Sequence, residues 1–271
     1  MTAARGVPCL VGLPYDASSS FLRGAAEAPP VIRRALHADA GNLWSEGLVD
    51  LSRPGALEDA GDVRLPADAA QAMTHIERAI AGILNANQRP IALGGDHFVT
   101  YPVLRAIAAR HGPVTVLHID AHPDLYDDFE GDRLSHACPF ARIMEEGLAR
   151  RIVQVGIRAM TGHQREQADR FGVEVIDMRA WYAGARPTIE DPVYISLDLD
   201  GIDPAFAPGV SHREPGGLTV REVLDLVQRT KGALLGADVV ELNPRRDPEG
   251  LTATVAAKLV KELAARVVGR C

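Results

Sequence analysis

Short apolar runs alternate along this chain with longer stretches in which apolar residues recur every three or four positions. The runs are 8–14 (PCLVGLP), 90–95 (PIALGG), 114–120 (VTVLHID), 152–157 (IVQVGI), 173–178 (VEVIDM), 192–200 (PVYISLDLD) and 233–244 (ALLGADVVELNP). They lack the strict apolar–polar alternation of a half-buried strand, so both faces are expected to be covered. The stretches 28–38, 67–86, 100–111, 136–149, 163–171, 219–231 and 251–268 read as helices. The last two carry Val223, Leu226, Val227 and then Val255, Leu259, Leu263, Val267 at helical spacing. Such alternation predicts an α/β fold, a parallel sheet with helices on both faces. No Ser/Gly linker, low-complexity tract or repeat interrupts it, and one domain over 1–271 is expected. Segment 39–66 breaks the rhythm. Rich in Gly, Asp and Pro, it reads as a surface excursion with at most a short strand near Val49.

Composition narrows the function classes. With 46% hydrophobic residues and 24% charged, the chain can bury a substantial core. A net charge of −7 argues against nucleic acid as a partner. No apolar segment is long enough for a membrane span, and the N-terminal run reads as a first strand and not as a signal segment. Cys9, Cys138 and Cys271 form no CxxC and no disulfide framework, which suits a reducing cytoplasm.

The chemistry sits where apolar runs end. In "HIDAHPDLYDD", Asp120, His122 and Asp124 follow a buried strand at every second position. An extended backbone aims such residues to one side. Carboxylate with imidazole and no thiolate suits Mn²⁺, Ni²⁺, Co²⁺ or Zn²⁺; a polar loop with helix-capping aspartates is the plainer alternative. Asp198 and Asp200 end the most apolar run, and adjacent buried carboxylates repel unless a cation lies between them. His97 follows the glycine pair of "LGGDHFVT". Together these give six candidate ligands, enough for two ions that share carboxylates. Glu241 closes the last apolar run and needs a partner, either Arg245 or Arg246 or a cationic substrate group. His136, in "LSHACPFARIMEEG", is ambiguous alone, and Cys138 reads as packing.

With these motifs in order, the sequence resembles the ureohydrolase family, which includes arginase, agmatinase and guanidinobutyrase. The resemblance runs nearly end to end through "GLPYDASSSFLRGAAEAPPVIR", "GGDH", "DAHPD", "SLDLDGIDPAFAPG", "PGGLT" and "DVVELNP", closest in pattern to agmatinase-like members. It implies a three-layer α/β/α sandwich around an eight-stranded parallel sheet, assembled as a trimer or hexamer. It also implies two Mn²⁺ ions, with Ni²⁺ or Co²⁺ as alternatives. By motif match, His97, Asp120, Asp124 and Asp198 hold one ion, and Asp120, His122, Asp198 and Asp200 the other. Glu241 matches the carboxylate that pairs with a substrate guanidinium, His136 a proton-shuttling histidine, and Asp200 a second proton carrier. The implied reaction is hydrolysis of a guanidino compound to urea and an amine.

Three departures bear on the substrate. Ala137 follows His136 where the family has glycine, "GVSHREP" puts His212 where a threonine is expected, and Tyr126 stands in place of an asparagine. "GIRAMT" lacks the acidic residues with which arginases grip an α-amino acid. The acidic loop 124–132 favours a second cation on the substrate, as in agmatine, whereas Arg133, His212 and Arg213 point toward a carboxylate tail such as 4-guanidinobutyrate. Agmatine is the preferred expectation. Tyr126 and His212 are the expected substrate contacts beside Glu241 and His136. Arginine or guanidinobutyrate hydrolysis, formiminoglutamate hydrolysis and a non-catalytic metal-binding role are the rivals.

Overall fold

A computed structural model describes residues 6–269. Cys271 and the first five residues lie outside the described residues. Eight strands, all paired in parallel, make one sheet: β1 (Val7–Gly12), β2 (Glu58–Asp62), β3 (Gln88–Leu93), β4 (Val114–Ile119), β5 (Ala149–Ile157), β6 (Glu174–Asp177), β7 (Val193–Asp198) and β8 (Leu234–Val240). The helices are α1 (Ala28–Leu36), α2 (Ala69–Asn85), α3 (Thr100–His111), α4 (Pro139–Glu145), α5 (Gly162–Phe171), α6 (Met178–Tyr182), α7 (Val220–Arg229) and α8 (Leu251–Val268).

Strand side chains alternate between two separate cores, which is why the apolar runs show no period of two. Val193, Ile195 and Leu197 of β7 join Leu117, Ile119, Ile91 and Leu93 against Ile32 of α1, Trp181 of α6, Val227 of α7 and Leu263 of α8. Tyr194, Val116 and Ala92 face the other way, against Ile76 and Ile80 of α2, Leu104 of α3, Phe140 of α4 and Ala168 of α5. The result is an α/β/α sandwich. Helix starts are fixed locally. α5 and α7 open with reciprocal capping boxes, Thr161 with Gln164 and Thr219 with Glu222.

Strand order is β2-β1-β3-β8-β7-β4-β5-β6. After β3 the chain skips two places to lay down β4, and β7 and β8 later fill the gap. The four central strands therefore come from both halves of the sequence. Their C-terminal ends lie level: Leu93 pairs with Val239, Asp198 with Val240, and Ile119 with Leu197. A crevice outside strand ends at such a reversal of order is where open parallel sheets bind ligands.

Several boundaries differ from the sequence reading. The strand β2 was not expected, since its five residues, EDAGD, are all exposed and carry no apolar signal. It is an edge strand held by backbone pairing to β1 and by Arg33, whose guanidinium donates to Asp59 at 2.7 and 2.9 Å. Near Val49 there is only a bridge between Trp44 and Asp50. The expected helix 136–149 is shorter, because Pro139 starts it and β5 begins at Ala149. The run ending at Met178 yields to α6, whose first turn is capped by the Asp177 carboxylate. Among the described residues, no helix is long and apolar enough to cross a membrane.

Candidate metal centre and substrate cavity

The loops that follow β3, β4, β7 and β8 deliver the titratable groups. β3 turns at Gly94 and Gly95. A Cβ on Gly95 would lie 1.7 Å from the carbonyl oxygen of Tyr15, so only glycine lets the segment after β1 cross there. The turn sends His97 down into the sheet end, fully buried. A Cβ on Gly156, whose φ is +99°, would sit 2.9 Å from the Asp120 carbonyl, so β5 presses on the end of β4 in the same way.

The six residues expected as ligands lie in two adjoining groups. Nδ1 of His97 is 3.1 Å from Asp120 Oδ2, 3.2 Å from Asp124 Oδ2 and 3.1 Å from Asp198 Oδ2. Although three carboxylate oxygens surround this nitrogen, none lies along a hydrogen-bond direction, and Nδ1 is a buried polar atom without a partner. The second group is Asp120, His122 and Asp200, with His122 Nδ1 3.1 Å from Asp200 Oδ2 and 3.4 Å from Asp120 Oδ1. The Asp200 amide donates to Asp198 Oδ1 at 2.8 Å, which ties the groups together.

Electrostatics describe a site short of positive charge. Burial, then the neighbouring Asp200 and Asp120, push the Asp198 pKa well above the carboxylate range. Burial and its neighbours raise that of Asp200 to about 6, against the pull of His122. Burial alone would lower the His97 pKa, yet the surrounding carboxylates hold it well above the imidazole range. An orphaned imidazole nitrogen and three converging carboxylates without a thiolate fit a divalent cation of the Mn²⁺ type.

Two buried relays orient this donor set. Gln154 donates from Nε2 to the Pro123 carbonyl at 2.6 Å, which fixes its amide orientation, and from the same nitrogen to Nδ1 of His118 at 3.0 Å. Because Nδ1 accepts, His118 must carry its proton on Nε2, which donates to Asp120 Oδ2 at 2.8 Å. His118 is close enough to form a triad with His97 and Asp120. With both nitrogens engaged it is an orienting group and not a further ligand. On the other side, His97 Nε2 meets Ser196 Oγ at 2.9 Å, and Ser196 donates to Asp238 Oδ1 at 2.8 Å. Asp238 also accepts from Thr100 Oγ1 at 2.8 Å and Tyr194 Oη at 2.5 Å. This chain leaves His97 Nδ1 facing the carboxylates.

Over the carboxylates lies a cavity of about 190 Å³, bordered deep down by His122, Asp124, Asp198, Asp200, His136, His212 and Glu241. Glu241 finds neither of the arginines considered from sequence. Arg245 pairs with Glu27, whereas Glu241 Oε1 accepts from His136 Nδ1 at 2.8 Å and from the His97 amide at 3.0 Å. Burial works against both charges, but the pairing wins: the Glu241 pKa is lowered, and that of His136 is raised to about 9. The amide N–H of Ser20 points at His136 Nε2 from 3.1 Å and favours a lone pair there, so it limits that rise. His212 stands 5.3 Å, ring to ring, from His136 and 5.8 Å from His122, and burial lowers its pKa below the ordinary imidazole value. Tyr126 borders the mouth, stacked on His163.

Two of these residues hold unusual backbone. Asp124 has φ 51° and Glu241 φ 64°. The left-handed region costs a non-glycine residue about 1–2 kcal/mol, and here it turns each carboxylate inward from the end of a strand or loop.

The arginase-family model matches residues 8–265. The chain belongs to the arginase family. Within it, the chain is 47% identical to "Arginase 1, mitochondrial" of Arabidopsis thaliana, over 97% of this chain and 82% of that protein. The solved arginase of Medicago truncatula superposes with a TM-score of 0.93 at 45% identity, covering 97% of this chain and 88% of that one. A hypothetical agmatinase from Burkholderia thailandensis gives 0.86 at 31% identity, covering 98% and 87%. Of these three, the two arginases are the more similar in sequence, not the agmatinase-like pattern expected from the motifs.

Sequence reasoning passed over several groups that shape the site: Ser20, His118, Gln154, Arg158, Gln164, Ser196 and Asp238. Asp238 could have been found, since it is a carboxylate in the middle of the apolar run of β8. Arg158 could not. It donates to the carbonyls of Asp200, Gly201 and Glu214 at 2.6 to 3.1 Å, an anchoring visible only once the chain is folded. The charges expected to meet the substrate tail are mostly engaged elsewhere. Of the five acidic residues in 124–132, Asp124 alone borders the cavity, and Asp127 is paired with His163. Arg133 is bonded to Glu145, and Arg213 to the carbonyls of Pro208 and Arg246.

Proposed function

We propose that the chain hydrolyses a guanidino compound to urea and an amine, with arginine as the leading substrate. The observation that carries the reaction is the placement of two groups across one cavity. On the floor are His122, Asp124, Asp198 and Asp200, with His97 and Asp120 buried directly behind them; on the wall is Glu241, paired with His136. The first six would hold two Mn²⁺ ions. When bound, such a pair lowers the pKa of a shared water and supplies a nucleophile near neutral pH.

The protein groups do the rest. Glu241 Oε2 has no hydrogen-bond partner among the described residues and is not sealed from solvent, so it is free to accept from a guanidinium. That ion pair would hold the cationic carbon toward the floor in near-attack geometry. One C–O bond forms and one C–N bond breaks. The departing nitrogen takes up a proton that the nucleophile loses, carried by His136 or Asp200, both at the cavity.

Arginine leads because relatives 45% to 47% identical over nearly the whole chain are named arginases. Agmatine, favoured from the sequence alone, is the second reading, supported by the absence, among the described residues, of any arginine or lysine from the cavity lining. A homo-oligomer is proposed on family grounds, and a reducing compartment such as the cytoplasm on Cys9 and Cys138, both buried and unpaired.

The test is a urea-release assay over arginine, agmatine and 4-guanidinobutyrate, with Mn²⁺, Ni²⁺ or Co²⁺. Urea with the matching amine is expected. No urea from any of the three, with formamide released from formiminoglutamate added as a fourth substrate, would move the reaction to formimino substrates. Asp120→Ala should lose activity and both metals on dialysis, and Glu241→Gln should raise KM and lower kcat together. A wild-type profile for Glu241→Gln would remove that residue from the site.

A further inference from the structure

Helix α5 begins beside the cavity mouth, and the side chain that caps it also faces the cavity. Gln164 is only 3% exposed, and it borders the cavity with Tyr126, Phe129 and Ala159, away from the carboxylate floor. Its Oε1 accepts from the Thr161 amide at 3.1 Å and lies 3.3 Å from the Thr161 hydroxyl, while its own amide donates to Thr161 Oγ1 at 3.3 Å. This reciprocal cap fixes which way the carboxamide points. A nitrogen in place of Oε1 could not accept the Thr161 N–H. Nε2 is therefore the end left over. Among the described residues it has no acceptor, and it is not one of the unpaired polar atoms sealed inside the protein.

A carboxamide N–H₂ that is locked in direction, buried on its other sides and unpaired represents a hydrogen bond waiting for an acceptor. It also lies at the N-terminal end of α5, where the helix adds partial positive charge. Among the described residues, no carboxylate borders this end to pair with an amine tail. The carboxylates bordering the cavity, Asp124, Asp198, Asp200 and Glu241, are all in the deep group, and Asp127 outside it is tied to His163.

We infer that Gln164 reads the substrate's tail, donating from Nε2 to a carboxylate or carbonyl oxygen and so favouring arginine-like substrates over agmatine. This rests on the proposed guanidino hydrolysis and sharpens it to substrates with an acceptor at the end remote from the guanidino group. Gln164 is a specificity residue and takes no part in the chemical step.

Gln164→Glu separates this role from the structural one. A glutamate at the third position of the helix still closes the capping box, so the fold is retained, but the donor becomes an anionic oxygen. The ratio of kcat/KM for arginine to that for agmatine should fall by about tenfold or more, chiefly through KM. Gln164→Ala, which loses the cap, should lower the arginine value and leave agmatine nearly unchanged. A ratio within twofold of wild type in the Glu variant, or an equal fall for both substrates, overturns the inference. If wild type releases urea from neither compound, the proposed function is what fails. Calorimetric titration of arginine and agmatine into the Mn²⁺-loaded chain then reads the same preference as a ratio of Kd values, and an unchanged ratio in the Glu variant overturns the assignment of Gln164.

Discussion

His136 concentrates what single residues can reveal here. Its Nδ1 faces Glu241 and its Nε2 faces Ser20, so one ring couples the cavity wall to the loop after β1. The pairing raises its pKa above the ordinary 6.5, to no more than about 9. A group raised on folding stabilises the native state fully below its unfolded pKa, and that contribution is lost as pH rises through the folded value. A shift of this size is on the order of 3 kcal/mol. The metal-free protein should therefore lose stability between about pH 6.5 and 9, and His136→Gln should flatten that part of the profile. Urea unfolding midpoints at half-unit pH steps would show it; parallel profiles for the two proteins would mean the pair carries no such charge. Ser196 offers a second check at this scale. Ser196→Ala removes the acceptor that holds His97, and metal affinity should fall about 10–100-fold with the fold intact, measured by competition with a chromogenic chelator.

Elements set how precisely such groups are held. The level ends of β3, β7 and β4 put donors from three separate segments within reach of one cation, and β8, paired between β3 and β7, sets Glu241 beside them. The stability of the helices that flank them is tunable without touching the site. α7 begins with Thr219, which accepts from the Glu222 amide at 3.2 Å while the Glu222 carboxylate accepts from the Thr219 amide at 2.8 Å. Thr219→Ala should cost about 1 kcal/mol of stability while kcat is unchanged. A loss of activity beyond that of the folded fraction would reveal coupling from α7 to the cavity. Elements are also where legibility varied most. Apolar β3, β4, β7 and β8 were plain because burial on both faces demands a continuous run. β2 was invisible because its only apolar contribution, one Ala in EDAGD, is exposed, and an edge strand needs nothing but backbone partners.

At the scale of the whole molecule, the proposed metal centre would be coupled to folding. Three carboxylates and the unpaired His97 nitrogen meet where the sheet's strand order reverses, and their mutual repulsion is relieved only by positive charge. Removing divalent metal should lower Tm, and adding Mn²⁺ should raise it in a concentration-dependent way, worth about 2.7 kcal/mol at a hundredfold excess over Kd. Scanning calorimetry after chelation would measure it. A Tm indifferent to Mn²⁺ would sink the metal-centre reading.

The sequence by itself determined the class of fold, the candidate ligands His97, Asp120, His122, Asp124, Asp198 and Asp200, and the need of Glu241 for a partner. Each of these is written locally, as an apolar run, a spacing of two, or a carboxylate where an apolar run stops. Partnership is not local. That Glu241 pairs with His136 and not Arg245, that Asp238 supports His97 through Ser196, and that Gln164 borders the same cavity as Glu241 depend on contacts between segments far apart in sequence. So does the exclusion of four of the five acidic residues in 124–132 from the cavity, since spacing records how many charges a loop carries but not which way they face. Only the packed sheet, by bringing strand ends from both halves of the chain level with one another, decided those questions.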